Sequence, residues 1–221
     1  MVEIEIYVPR LVEALQRNFG KRLLYVGLQG SYLRGEATES SDLDIMVILD
    51  ALSVSDLACY RSIVNGMEHA DKSCGFICAA ADLANWNPLE IWSLVNGTKD
   101  YYGSLEHFVP AYTKDDIRNF TKMSLNNLYH ELCHRYIHGN PENTELALPG
   151  MYKSAFFLLQ SLYYLDHEKY IGTKKLLLSK LLGNDRCVLE YAMDLEGFSS
   201  ENFMERFELL FTWCQEKLHT V

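Results

Sequence analysis

The stretch GLQGSYLRGEATESSDLDIMVILD, residues 27–50, decides how the chain is read. It joins two apolar runs, RLLYVGL (22–28) and DLDIMVIL (42–49), through a loop too polar to be a plain connection. Gly30-Ser31 opens that loop, and ten residues separate Ser31 from Asp42. The second run starts on Asp42 and Asp44. In a strand, residues i and i+2 leave the same face, so these carboxylates point the same way. Like charges held that close repel unless a cation lies between them. Hard carboxylate oxygens in a partly open site suit Mg²⁺, particularly when substrate phosphates complete its octahedron. Gly30 permits close backbone approach and Ser31 offers a hydroxyl and an amide. Arg34, Thr38, Ser40 and Ser41 add further groups able to contact phosphate oxygens. The stretch reads as a site for a metal and a nucleotide.

Outward from it, the first half alternates strand and helix patterns. PRLVEALQRNF (9–19) has helical spacing, with Pro9 near its first turn and Gly20 beyond its end. A helix is expected near 55–67, a strand at 72–80, a short helix at 88–96 and an edge strand at 99–105. After Pro110 the pattern becomes purely helical. Thr113 followed by Asp116 is an N-cap signature opening a long helix to about His138. Gly139, Asn140 and Pro141 stop it. Further helices are expected at 149–165, 173–183, 186–195 and 200–218. The expected fold is α+β: a small mixed sheet with helices over 1–110, then an all-helical bundle over 111–221.

Composition excludes several classes. The 221 residues are 48% hydrophobic and carry a net charge of −10, with no basic stripe of the kind a nucleic-acid binder shows. No apolar window approaches a membrane span. The beginning, MVEIEIYVPRL, carries Glu3 and Glu5 and lacks the apolar core of a secretory leader. The six cysteines are scattered without a CxxC pair, and reduced, mostly buried thiols in a cytoplasm are expected. An acidic surface suits a cationic small molecule as well as plain solubility.

The joint pattern of hydrophobic strand, Gly-Ser, a ten-residue spacer and Asp-Leu-Asp-Ile resembles the signature of the DNA polymerase β-like nucleotidyltransferase superfamily. The filling LRGEATESSD is similar to that family's usual one. A nucleotidyltransferase domain followed by helices resembles the kanamycin, lincosamide and streptomycin nucleotidyltransferases, and the minimal ones that accompany helical HEPN proteins. The resemblance implies Mg²⁺-dependent transfer of a nucleoside monophosphate from a triphosphate, ATP in the first place. The acceptor would be a hydroxyl of a small molecule, such as an aminoglycoside-like antibiotic, or of a partner protein. It implies that Asp42 and Asp44 hold Mg²⁺, while Gly30 and Ser31, with Arg34 and Ser41 beside them, bind the triphosphate.

One element departs from that pattern. Active members carry a third carboxylate in a later strand, where this chain has Cys74 or Gly75; Asp71 and Asp82 flank the strand. A catalytically impaired nucleotide-binding or partner-binding module is therefore the alternative. In the kanamycin type a glutamate of the helical domain acts as base, and Glu131 is the matching candidate. Glu131 also lies in HELCH (130–134), which fits the HExxH pattern of zinc peptidases. No glycine and properly spaced third histidine extend it, which makes a peptidase the remote reading.

Overall fold

Helix α1 (Ile4–Phe19) opens the described chain, which comprises all of residues 1–221 of a computed structural model. Tyr7, Val8, Leu11, Leu15 and Phe19 recur at helical spacing and form its buried stripe. It starts a turn earlier than Pro9 would suggest, because Tyr7 and Val8 already belong to that stripe. Pro9 sits inside the helix, where its lack of an N–H forfeits one backbone bond.

Four strands form one sheet in the order β3-β2-β1-β4. They are β1 (Leu23–Leu28), β2 (Leu43–Leu49), β3 (Ser73–Ala79) and β4 (Lys99–Tyr102). β1 runs antiparallel to β2 and β4, whereas β2 and β3 are parallel. The expected mixed sheet is thus present, and central β2 is buried at every position except Asp44. A strand covered on both faces needs apolar residues throughout, so one polar side chain within it marks a position left open on purpose.

Between the strands lie α2 (Gly30–Arg34), α3 (Val54–Asn65), α4 (Ala80–Ala84) and α5 (Pro88–Asn96). One face of the sheet buries Leu23, Val26, Leu28, Leu43, Ile45, Val47 and Leu49 together with α1, and residues Cys59, Tyr60 and Ile63 of α3 pack against them. The other face gathers Tyr25, Met46, Ile48 and Cys78 under Leu83 and Leu105. That second cover is short, and it leaves the end of the sheet where Asp44 lies partly open.

Contacts divide the chain into two units, Met1–Tyr112 and Thr113–Val221. The second is entirely helical: α6 (Lys114–His138), α7 (Pro141–His167), α8 (Lys174–Leu178), α9 (Gly183–Met193) and α10 (Phe203–Thr220). The Thr113–Asp116 capping box opens α6, and the Asn140 side chain caps α7. α7 begins eight residues before the expected 149, since Thr144 and Leu148 are already buried and Pro149 is carried within the helix. Its core includes Leu125, Leu132, Tyr152, Phe156, Leu189 and Trp213.

All six cysteines are free, but only Cys78 and Cys214 are buried, which corrects the expectation of mostly buried thiols. Cys74 is exposed because it precedes the covered part of edge strand β3. Burial pushes the Cys78 thiol up to about 11 and the Cys214 thiol up to about 12. No helix is long and apolar enough to cross a membrane.

Candidate functional site

The end of β1 and the start of β2 are locked to each other. The Gln29 amide donates to the Asp44 carbonyl at 2.8 Å, continuing the ladder one step past β1. Gly30 follows in the left-handed region, with φ of +70°. A Cβ placed there would lie 2.8 Å from Asp44 Cγ and nearer still to Oδ2. Only glycine therefore lets the chain turn into α2 while Asp44 keeps its place. The Gly-Ser turn and the acid strand, separated in sequence by the spacer, meet at this contact.

Asp42 stands one residue before β2 and is exposed, while Asp44 is half-buried within it. Neither carboxylate forms an ion pair inside the chain, so nothing in the protein neutralises them. Two adjacent carboxylates of this kind are hard oxygen donors suited to Mg²⁺. They make a partial set only, because no group of three His, Cys, Asp or Glu side chains able to hold a metal occurs. An ion here would take its remaining ligands from substrate and water.

The other predicted residues fall into distinct settings. Ser31 is half-buried in the first turn of α2, and its carbonyl accepts the Glu36 amide at 2.9 Å. Arg34 closes α2 and pairs through Nε with Glu36 Oε2 at 3.1 Å. Ser41 Oγ accepts the Thr38 amide at 2.8 Å, and the Thr38 hydroxyl lies 3.0 Å from that of Ser40. These hydroxyls shape their own turn. Lys72 donates to the Glu39 carbonyl and ties the turn to the start of β3.

The later strand carries no acid beside Asp44. Asp44 is in register with Cys74, and Ile45 with Gly75. Gly75 has φ of +107°, and a Cβ on it would stand 2.5 Å from the Ile45 amide nitrogen and nearer still to its carbonyl oxygen. No side chain fits that position. The Cys74 sulfur contributes to holding the Tyr60 hydroxyl up at about 12, after burial and Tyr7. Asp82 lies beyond Ala79, five register steps from Cys74, or roughly 17 Å along the strand. Asp71 is exposed in the turn before β3.

Glu131 lies on α6 in the second unit, and its Oε1 accepts from Arg135 Nε at 2.8 Å. His130, His134 and His138 are exposed, with successive ring centroids 5.9 and 5.2 Å apart. No acid or imidazole joins them as a metal site.

Sequence reading missed a pair on the open sheet face. Tyr25 Oη donates to Asp100 Oδ1 at 2.6 Å, and burial, followed by Asp100, raises the Tyr25 hydroxyl far above its ordinary range. Asp100 was legible only as part of an edge strand. Its value depends on the pairing of β4 with β1, which no local pattern discloses.

Comparison with known proteins bears on the fold. Residues 8–72 match the family model described as a nucleotidyltransferase domain. No curated protein matches the chain in sequence. The crystal structure of spectinomycin adenyltransferase AAD(9) from Enterococcus faecialis, with ATP and spectinomycin, is similar in fold. It shares 15% identity at a TM-score of 0.62, over 97% of this chain and 98% of that one. Residues 8–72 thus match a nucleotidyltransferase domain, in a chain whose fold is similar to that of the adenyltransferase structure.

Proposed function

We propose that the protein transfers a nucleoside monophosphate from a nucleoside triphosphate, ATP in the first place, to a hydroxyl of a small molecule, with Mg²⁺ as cofactor. The observation that carries the reading is the seat of Gly30 against Asp44. It joins a left-handed glycine turn to an acid pair without ion-pair partners, within the stretch that matches the family model. The similar fold of an enzyme solved with ATP and an antibiotic supports a nucleotide and a small acceptor, and makes spectinomycin the first acceptor to try.

In this reading Asp42 and Asp44 hold the cation, which supplies neutralisation of phosphate charge when bound. Gly30 and Ser31 lie along the phosphate tail, and Arg34 and Ser41 flank it. The acceptor oxygen attacks the α-phosphorus, an oxygen–phosphorus bond forms, the α–β anhydride breaks and pyrophosphate leaves. The chain's contribution is alignment and charge placement. Glu131 remains a candidate base, provided it exchanges its Arg135 partner for the acceptor hydroxyl.

The test is turnover of α-labelled triphosphates against spectinomycin, other aminoglycoside-like compounds and candidate partner proteins. Asp44→Asn should lower transfer by at least about a hundredfold, as expected for loss of a metal ligand, with the unfolding midpoint retained. Equal transfer by wild type and Asp44→Asn would sink the assignment.

The later strand favours a second reading. Its position in register with Asp44 is Cys74 rather than an acid, and the next, Gly75, admits no side chain, so the fold also suits a module that binds nucleotide without turning it over. Mg²⁺-dependent ATP binding with no product for any acceptor would select that reading.

A further inference from the structure

On the sheet face that carries Asp44, Asp100 is the one carboxylate held in place from below by a buried side chain. Tyr25, Met46 and Ile48 pack in one cluster on this face, and Asp44 precedes Met46 by two residues on the same strand. Gly27 pairs with Met46 on one side and with Asp100 on the other. A Cβ on Gly27 would stand 2.6 Å from Thr98 Cγ2 and nearer still to the Tyr25 hydroxyl. The bare glycine lets the Tyr25 side chain cross the strand, so that its hydroxyl meets Asp100.

Tyr25 is 0% exposed, whereas Asp100 is exposed. One Asp100 oxygen accepts the hydrogen bond of the Tyr25 hydroxyl, and no lysine or arginine pairs with the other. Neighbouring Lys99 is turned to Glu5 instead. Between the two acids runs a polar ledge. Gln29 holds Asp44 through its amide, and its Nε2 donates to Thr98 Oγ1 at 2.7 Å. Thr98 Oγ1 in turn donates to the Leu94 carbonyl at 2.6 Å.

Distance decides what Asp100 can do. β2 and β4 are separated by β1, at about 4.8 Å per strand, and Asp44 stands beside Gln29 whereas Asp100 stands beside Gly27, two residues along, so the two backbone positions lie roughly 12 Å apart. Carboxylates sharing one Mg²⁺ each place an oxygen about 2.1 Å from it, which excludes Asp100 from the shell of a metal on Asp44. A fixed anion without a cationic partner, on the same sheet face as Asp44 but out of reach of its ion, is instead suited to a cationic substituent.

We propose that Asp100, oriented by Tyr25, anchors an ammonium group of the acceptor and so selects amine-bearing polyols over neutral ones. This rests on the transfer reading for the identity of the ligand as acceptor. The chain's net charge of −10 favours the approach of such a cation.

The test combines binding and turnover on the full chain. Spectinomycin, kanamycin and streptomycin would be titrated calorimetrically with Mg²⁺ and a non-hydrolysable ATP analogue present, and assayed as acceptors with ATP. For the amine that binds, Asp100→Asn should weaken binding and raise its KM by about 10- to 100-fold, the loss of one charged hydrogen bond. The KM for ATP and the unfolding midpoint should stay put. Tyr25→Phe, which removes only the orienting hydroxyl, should give a smaller loss in the same parameter. Unchanged affinity in Asp100→Asn, or no binding of any amine by the wild type, would overturn the anchor. Transfer to neutral acceptors irrespective of Asp100 would also overturn it while leaving the transfer reading standing. Asp100-dependent amine binding without any product would uphold the anchor and defeat transfer.

Discussion

Gly30 and Asp44 are in contact across fourteen positions of sequence, with room between them for a hydrogen and nothing larger. Gly30→Ala adds a methyl group against the carboxylate and also strains a backbone at φ of +70°. The strain alone costs about 1–2 kcal/mol. The expected result is a midpoint lower by roughly 2–8 °C, accompanied by loss of transfer of at least about tenfold as Asp44 is pushed aside. Titration with Mg²⁺ checks the second part, since the variant should need more metal for half-maximal activity. A variant with wild-type Mg²⁺ dependence would separate Gly30 from the acid.

That contact also shows what could be read from the chain. A spacing that resembles the nucleotidyltransferase signature paired the Gly-Ser turn with the acids, and strands 22–28 and 42–49 are apolar enough to be recognised, although β2 begins at Leu43 and leaves Asp42 just outside it. The helix at 88–96 was equally legible, since Asn87 caps it and Pro88 starts it. Pro9 and Pro149 misled, for a local helix breaker carries no information about the tertiary packing that retains it. The short helices α2 and α4, of five residues each, have no periodicity to detect. Asp100 was out of reach for a different reason. Its neighbour Tyr25 lies 75 positions away and meets it only once β1 and β4 pair.

Gly75 bears on whether the missing acid can be put back. Gly75→Asp would not restore it, since the first side-chain atom already falls on the backbone of Ile45. Adding a strained φ of +107° to that clash should cost about 3 kcal/mol or more and lower the midpoint by at least roughly 6 °C. Thermal unfolding with far-ultraviolet circular dichroism checks this. A stable Gly75→Asp protein would mean that β3 can shift its register beside Ile45.

The HELCH helix yields an opposite expectation. Glu131 is held by Arg135, and the three histidines form an exposed row without a further ligand. Metal analysis should therefore find zinc well below one equivalent. His134→Ala should leave the midpoint the same with or without chelator. Glu131→Gln should change stability by no more than about 0.5 kcal/mol, the usual worth of an exposed i,i+4 pair. If Glu131→Gln lowered kcat by about a hundredfold or more, the glutamate would be the base of transfer.

Arg22 and Asp56 join the end of the 3₁₀ turn at 20–22 to the first turn of α3, and their pair sets a pH dependence. Arg22 Nη1 and Nη2 donate to the two Asp56 oxygens at 2.8 and 3.0 Å. The Ser53 amide and hydroxyl add bonds of 2.9 and 2.7 Å to Oδ2. Arg22 first, and Ser53 after it, hold the Asp56 carboxyl well below the usual carboxylate range. A depressed folded-state pKa stabilises the fold above the unfolded value near 4, and the contribution is lost as pH falls toward the folded one. Asp56→Asn keeps the shape and removes the charge. At pH 7 it should unfold at a lower temperature than wild type, and the gap should narrow progressively below about pH 5. Thermal melts of both proteins between pH 3 and 7 measure it. Equal melting of the two proteins across that range would assign the stabilisation to the neutral cap at Ser53, because the amide oxygen introduced by Asp56→Asn still accepts those bonds whereas the Arg22 pair must titrate.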